Sequence, residues 1–331
     1  MRPRHGFVAL AVATLALLGA GAAAGSNGGL TPIDPSSPNA DRITGIYWFI
    51  LGFTGFIFLV VEISLILFVV RYRRRGRPSD QEGPQIRGNT RLEYAWTLAP
   101  VLILAAIAAF VFYKLPGIKN VPAASAQGAR IDVTVEAHRF YWEYRYSNGV
   151  VAVDALRAPV GVPVALTLVA PKDDVIHSWW IPAFGGKTDV IPGHTNHTWF
   201  QAEKTGTFRG QCAEFCGVQH AAMLASVQVL PAARFRAWLA SEQKAQAKGD
   251  GRLGAETWAG ACAKCHGQQA QGLVGPDLRG NSLLADRNGL ETLIRNGRGE
   301  MPPVAETWKE NQVTALFGYV KRTFAKASSG G

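Results

Sequence analysis

The chain has 331 residues, 48% of them apolar, and a formal net charge of +10. This length allows more than one domain. The positive charge is concentrated in one loop, where seven arginines between Arg71 and Arg91 face only Asp80 and Glu82. A nucleic-acid-binding protein usually spreads basic residues over a binding face, so this distribution argues against nucleic acid as a partner.

The N-terminal residues 1–24 have the pattern of a signal peptide. A basic start and an apolar stretch lead to small residues that end at Ala24. An uncleaved anchor helix is the alternative interpretation. Residues 25–42 are rich in Pro, Ser and Asn and predict an exposed lead-in on the outer side of a membrane.

Two apolar runs, residues 43–70 and 92–115, are each long enough to span a bilayer. The Arg-rich loop between them, residues 71–91, predicts a cytoplasmic connection, so everything after the hairpin faces outward. We therefore expect a multi-pass protein of the bacterial plasma membrane with its later domains on the outer side. Glu62 inside the first run indicates either a polar partner or a glutamate that reaches the headgroups.

Residues 120–232 predict a β-sandwich of Greek-key type. The stretch RIDVTVEAHRFYWEYRYSNGV alternates aromatic and β-branched residues up to a turn at 148–149, and further strand candidates begin at residues 162, 197 and 225. Turn signals recur at short intervals, and no helical stretches separate the strand candidates.

Within this region, residues 210–223 read GQCAEFCGVQHAAM and place Cys212, Cys216, His220 and Met223 close together. A disulfide would account for the cysteines alone. Zinc is poorly matched to a thioether, and a blue-copper site uses one cysteine. Two thiolates can bridge two copper ions, provided that a second histidine comes from elsewhere.

His177, in KDDVIHSWWIPAFGGKTDVIPG, is the best candidate for that second histidine. It lies in a segment bounded by turn residues. His194 and His197 compete on position, and His138 is a weaker competitor beside the aromatic strand.

The C-terminal part predicts a helix and polar linker at 233–250, followed by a haem domain at 251–328. The sequence CAKCH matches the attachment pattern of a c-type haem, and a later methionine can supply a second axial ligand. A zinc pair and a thioredoxin-like redox pair are the alternatives. This part resembles a small, all-α class I cytochrome c. The residues expected to bind the haem are Cys262, Cys265, His266 and Met301.

DVIHSWWIPAFGGKTDVIPG together with GQCAEFCGVQHAAM resembles subunit II of the haem-copper cytochrome c oxidases, over residues 43–232. That family has two membrane spans, a cupredoxin-like outer domain and a binuclear copper centre called CuA. In that centre the two cysteines bridge the metals. By matching position, the copper ligands implied are His177, Cys212, Glu214 through its carbonyl oxygen, Cys216, His220 and Met223.

The resemblance has three further implications. The Glu214 side chain would help to hold a magnesium ion shared with subunit I, and Glu93 would stand at the mouth of a proton path in subunit I. The chain departs from the family at Phe140, where a tryptophan usually receives electrons from soluble cytochrome c. This departure argues against docking of a soluble donor.

These parts together predict a multi-domain membrane protein with a two-helix hairpin, a cupredoxin-like all-β domain and an all-α cytochrome c domain. The expected function is subunit II of a caa3-type oxidase. Haem c would pass electrons to CuA, and CuA would pass them to subunit I, which reduces oxygen to water and pumps protons. The donor would be a cytochrome c or a bc1-type complex. Alternatives are a CuA subunit of a nitric oxide reductase, a tethered electron carrier acting alone, and a copper-binding assembly factor.

Overall fold

The computed structural model describes residues 32–73, 85, 87–249 and 252–325. Its contacts divide the chain into two compact units, of which one comprises Asp41–Ile118 and the other the remainder. The predicted signal peptide and most of the Arg-rich loop lie outside the described residues.

The first unit contains two helices, α1 (Pro38–Tyr72) and α2 (Thr90–Lys114), with a short α3 (Pro116–Lys119) after them. Both long helices have the length and the apolar composition needed to cross a membrane. Phe49 of α1 stacks on Phe110 of α2 with ring centroids 4.2 Å apart, so the two helices pack side by side.

A reciprocal cap fixes the start of α2. The side chain of Asn89 accepts a hydrogen bond from Leu92 N at 3.3 Å, and Glu93 Oε1 accepts one from Asn89 N at 3.1 Å. Such a cap satisfies two backbone donors that a helix start otherwise leaves unpaired. Glu93 therefore has a structural role at this helix end.

The second unit contains a β-sandwich. Its strands are β1 (Ala124–Ser125), β2 (Gly128–Ala129), β3 (Ile131–His138), β4 (Tyr141–Tyr146), β5 (Val151–Val153), β6 (Ala155–Pro159), β7 (Pro163–Val169), β8 (His177–Trp180), β9 (Thr188–Val190), β10 (Asn196–Gln201), β11 (Gly206–Cys212) and β12 (Leu224–Leu230). Strands β1 and β2 pair separately. The others form two five-stranded sheets, one ordered β10-β7-β3-β4-β5 and the other β6-β12-β11-β8-β9.

The long alternating stretch before Asn148 is divided by a turn that the sequence analysis did not predict. His138 pairs with Tyr141, so Arg139 and Phe140 form a two-residue connection between β3 and β4. The predicted turn at 148–149 is also present, because Gly149 N donates to Tyr146 O at 2.9 Å. Phe140 consequently lies at the tip of a tight hairpin.

The lead-in differs from its prediction, because its described end is buried against the sandwich. Ser36 N donates to Ala183 O at 2.8 Å. The Asn39 side chain donates to Phe184 O at 2.9 Å and to Trp199 O at 2.8 Å. The exposed lead-in is therefore wrong for these residues, because the Ser36 backbone and the Asn39 side chain satisfy backbone carbonyls of the sandwich.

A helix, α4 (Ala232–Gln246), follows β12 and packs on the sandwich. Phe235 belongs to the sandwich core, and Trp238 contacts Tyr146 with ring centroids 5.4 Å apart. The Gln246 side chain accepts from Val151 N at 2.9 Å and donates to Val151 O at 2.8 Å. Both ends of α4 are thus fixed to the sandwich.

A helical domain completes the described chain. Its elements are α5 (Leu253–Thr257), a π-helical turn (Trp258–Cys262), α6 (Ala263–His266), α7 (Arg287–Asn296) and α8 (Glu310–Thr323). Its core includes Tyr141 of the sandwich, whose hydroxyl donates to Val304 O at 2.6 Å and accepts from Trp308 Nε1 at 2.8 Å. The sandwich and the helical domain therefore share a buried contact. The predicted fold class, with two apolar helices, a cupredoxin-like sandwich and a helical C-terminal region, is confirmed.

Candidate metal centre

Three strand ends bring the predicted metal ligands together. His177 begins β8 and Cys212 ends β11, and these strands pair through Cys212 and Trp179. The loop after β11 returns through a short helical turn to Met223, whose carbonyl accepts a hydrogen bond from Cys212 N at 2.9 Å. Sheet pairing thus fixes both ends of the metal loop, which we define as residues 210–223.

The donor atoms of this loop converge with that of His177. Cys212 Sγ lies 3.9 Å from Cys216 Sγ and 3.9 Å from His177 Nδ1. Cys216 Sγ lies 3.6 Å from His220 Nδ1 and 3.9 Å from Met223 Sδ. The carbonyl oxygen of Glu214 is 3.2 Å from Cys212 Sγ. All six predicted donors are therefore within contact distance of the cysteine pair, and both cysteines are free thiols.

The donor set fits copper. Two thiols, two imidazoles and a thioether form a soft set that copper favours, and His177 and Met223 are fully buried. His177, Cys212 and Cys216 meet the geometry of a metal-binding group by themselves.

Asp174 orients His177 and was missed by the sequence analysis. Its Oδ1 lies 3.3 Å from His177 Nε2, so the ring can donate there and present Nδ1 to the cysteines. Burial alone would raise the pKa of Asp174, but hydrogen bonds from His177 and Val175 and the charge of Arg139 outweigh burial and lower it. An acidic residue three positions before the candidate histidine was the available signal.

The cysteine pair accommodates one negative charge readily. The pKa of Cys212 is lowered to about 3, mainly through its hydrogen bond with the Cys216 thiol. The same hydrogen bond retains the proton of Cys216 and raises its pKa. A second thiolate at this site therefore requires a cation beside it, which a metal ion provides.

The competing histidines lie elsewhere. His138 is buried and stacks on Tyr141 with ring centroids 4.6 Å apart, and burial lowers its pKa to about 4. His194 lies before β10 and His197 lies in it, and both are exposed. The Glu214 carboxylate, predicted to help hold magnesium, is partly exposed, and its Oε2 lies 3.5 Å from Lys187 Nζ.

The cysteine motif, which we define as residues 262–266, lies on the π-helical turn and α6. His266 Nδ1 is 2.9 Å from Pro276 O, so this nitrogen donates and leaves the lone pair on Nε2. A Cβ on Gly275 would lie 2.8 Å from His266 Cε1, so glycine permits this close approach. The arrangement fits an imidazole presented to a haem iron.

The first cysteine of the motif and the predicted second axial ligand lie beside the core of the helical domain. Cys262 and Met301 both pack against that core. Burial raises the pKa of Cys262 to about 12, so its sulfur is held as a thiol. Met301 lies in a short bridged turn with Arg298, and their two backbone hydrogen bonds are 3.0 and 3.1 Å long.

Three families of known proteins match the chain. "Cytochrome C oxidase subunit II, transmembrane domain" matches residues 25–113, and "Cytochrome C oxidase subunit II, periplasmic domain" matches residues 151–230. "Cytochrome C oxidase, cbb3-type, subunit III" matches residues 249–320 and so covers the helical domain.

Individual relatives agree with these families. Cytochrome c oxidase subunit 2 of Alkalihalophilus pseudofirmus is 30% identical over 317 residues, which cover 88% of this chain and 90% of the relative. Cytochrome c oxidase subunit 2 of Cereibacter sphaeroides is 31% identical over 249 residues, with 64% of this chain and 80% of the relative covered. A solved structure, the periplasmic domain of subunit II of cytochrome oxidase of Bradyrhizobium japonicum, is 32% identical with a TM-score of 0.34 and covers 38% of this chain and 98% of that one.

The predicted function as subunit II of an oxidoreductase complex is confirmed, and the alternatives are not favoured. The two apolar helices and the match to the transmembrane domain make it a membrane protein. Because the similarity extends over most of both sequences, the chain belongs to the cytochrome c oxidase subunit II family and carries a cytochrome c domain in its C-terminal region.

Proposed function

We propose that this chain is subunit II of a caa3-type oxidase, through which electrons enter the complex on the outer side of a bacterial plasma membrane. Haem c in the helical domain would accept electrons from a cytochrome c or a bc1-type complex. They would continue through a binuclear CuA centre to subunit I, which reduces oxygen and pumps protons. The observation that carries the proposal is the convergence of six copper-type donors, of which two are the cysteines of one loop and four lie around them.

In this proposal the metal loop and His177 would hold two copper ions. The donors would be the Cys212 and Cys216 sulfurs, Nδ1 of His177 and of His220, the Met223 thioether and the Glu214 carbonyl. When bound, the copper pair supplies one-electron redox chemistry with its charge shared between two ions. The paired strands hold the ligands in fixed positions, Asp174 fixes the His177 ring, and burial keeps water out.

The helical domain would hold a covalent haem c. Cys262 and Cys265 would hold the haem through thioether links, and His266 Nε2 and the Met301 sulfur would hold its iron. When bound, this haem supplies one-electron transfer at the high potential typical of Met/His ligation. The Pro276 carbonyl fixes the imidazole tautomer that this role requires.

Contact with subunit I is supported by the surface of the metal loop. Phe215 and Val218 are 78% and 87% exposed, although both are large apolar residues beside the buried cysteines. Exposed apolar side chains grouped in this way are typical of a protein interface. A shared magnesium at Glu214 and a proton path that begins near Glu93 belong to the same proposal.

Purification of the complex in mild detergent tests the proposed function. We expect two coppers and one covalent haem per chain, a co-purifying haem-copper subunit, and oxygen uptake with an artificial reductant. A Cys216→Ser chain should lose copper while it keeps its covalent haem. A single copper, or zinc, in the wild-type chain would contradict the binuclear site, and a chain isolated alone would contradict the oxidase assignment.

A further inference from the structure

The cysteine motif lies directly against the sandwich. Gly260, in the π-helical turn, is so close to the end of β5 that a Cβ would clash with Val153 Cγ1 and lie 3.1 Å from Asp154 Oδ2. Val153 also belongs to the buried core that the sandwich shares with the helical domain. The haem-attachment segment is therefore part of the contact between the two domains.

One charged side chain links the motif to the sandwich. Lys264, between the two cysteines, donates from Nζ to Asp154 Oδ2 at 2.6 Å and to the carbonyl of Phe140 at 2.8 Å. Its side chain is only 14% exposed and that of Asp154 24%. A charge-assisted bond of this length, shielded from solvent, is stronger and less screened by salt than a surface ion pair.

The Asp154 carboxylate is held in place by the sandwich. The side-chain oxygen Oδ1 accepts a hydrogen bond from Trp142 N at 2.9 Å, and the backbone carbonyl of Asp154 accepts one from Ser226 N at 2.9 Å. Its backbone has a φ of 56°, a conformation that Asp and Asn adopt more readily than most residues. Lys264 thus binds a rigid acceptor.

Phe140 contacts both redox segments. Its carbonyl accepts from Lys264, while its ring lies beside Gly217, the residue after Cys216. A Cβ on Gly217 would lie 3.1 Å from Phe140 Cε1, and its φ of 126° also favours glycine. A continuous set of contacts therefore joins the cysteine motif, Phe140 and the metal loop.

We propose that Lys264 is a positioning residue for internal electron transfer, because it holds the haem-attachment segment on Phe140 and so at a fixed distance from the metal loop. The inference rests on the proposed function. The step is the transfer of one electron from reduced haem iron, which is oxidised, to the oxidised copper pair, which is reduced, with no bond made or broken. Phe140 serves this internal contact, which accounts for the absence of the tryptophan that receives electrons from a soluble donor.

The test uses the full-length chain in its oxidase complex. Lys264→Met removes the charge and keeps the length, Lys264→Arg keeps the charge, and Lys248→Met replaces an exposed lysine as the matched control. Two quantities are measured, namely the rate of internal electron transfer after flash reduction of the haem, and amide hydrogen exchange of residues 140–142. Exchange is also measured in copper-free protein, because it reports on docking without activity.

We expect Lys264→Met to slow internal transfer about tenfold, the factor for losing one charged hydrogen bond, and to raise amide exchange at the tip of the β3–β4 hairpin. Lys264→Arg and Lys248→Met should keep the wild-type values, and the copper and haem spectra should not change in any variant. If the Lys264→Met chain fails to attach haem, the Asp154→Asn chain is measured in its place, because asparagine keeps the hydrogen bond from Trp142 N and removes the negative charge.

A wild-type transfer rate in a haem-loaded Lys264→Met or Asp154→Asn chain overturns the inference alone. Absence of internal transfer in the wild-type complex overturns the proposed function and the inference with it. A slower rate without any change in exchange also overturns the inference, because the lysine would then act by some means other than docking.

Discussion

Glu143 is a carboxylic acid enclosed between the sandwich and the helical domain, with 0% of its surface exposed. Its Oε2 accepts a hydrogen bond from Gln312 Nε2 at 2.9 Å, and its Oε1 lies 2.6 Å from the guanidinium of Arg145. Burial raises the pKa of Glu143 from 4.5 to about 7, although Arg145 and Gln312 act in the opposite direction. The folded chain therefore binds a proton here more tightly than the unfolded chain does.

The sign of the pH effect follows from that difference. Below pH 4.5 both states are protonated, and the stabilising contribution of proton binding is fully present. As the pH rises from 4.5 to about 7, only the folded state keeps its proton, so the free energy of unfolding falls. The gap of about 2.5 units (7 minus 4.5), at about 1.4 kcal/mol per unit, corresponds to a loss of about 3 kcal/mol.

Glu143→Gln should remove this pH dependence, because the amide is neutral at every pH and fills the same space. Guanidinium unfolding of the full-length chain in detergent, followed by tryptophan fluorescence on both sides of the pH window, measures the effect. Glu306→Gln, at an exposed site of the helical domain, is the matched control and should keep the wild-type profile. If the difference in free energy of unfolding between the wild-type and Glu143→Gln chains is the same on both sides of the window, the carboxyl makes no such contribution and the reasoning fails.

Three further substitutions test separate contacts. Asp174→Ala should weaken copper binding about 10–100-fold in chelator competition, since His177 loses the carboxylate that orients it, and unchanged affinity would contradict that role. Gly275→Ala should lower the yield of covalent haem on a haem-stained gel at equal protein level, because its Cβ would lie 2.8 Å from His266. A normal yield would show that His266, at the end of α6, shifts easily to make room. Asn39→Ala should cost about 2–5 kcal/mol in chemical unfolding, because two buried carbonyls lose their donor, and a cost near zero would mean that water replaces it.

The candidate metal site was largely predictable because most of its donors are local in sequence. Cys212, Cys216, His220 and Met223 occupy one short loop, and their side-chain types already favour copper. His177 required the resemblance to a known family, since position alone left three other histidines in competition. Its convergence with the loop depends on the pairing of β8 with β11, which no local pattern specifies.

The contacts that were missed are long-range. Lys264 and Asp154 are 110 residues apart, and Gln312 and Glu143 are 169 apart, so neither pair leaves a sequence signal. The polar lead-in residues read as exposed because serine and asparagine are mostly found at surfaces, whereas here they satisfy carbonyls of the sandwich. The polarity of these residues did not reveal that the contact was buried.

The pair of hydrogen bonds between Gln246 and Val151 has a consequence for aggregation. Strand β5 is the outermost strand of its sheet, and an open strand edge can pair with a strand from another molecule. The Gln246 side-chain amide hydrogen-bonds both the backbone N–H and the backbone carbonyl of Val151, so it occupies the positions that a strand from another molecule would use. The helix that leads to the helical domain thereby protects the sheet against edge-to-edge aggregation, and a chain cut before α4 would lose that protection.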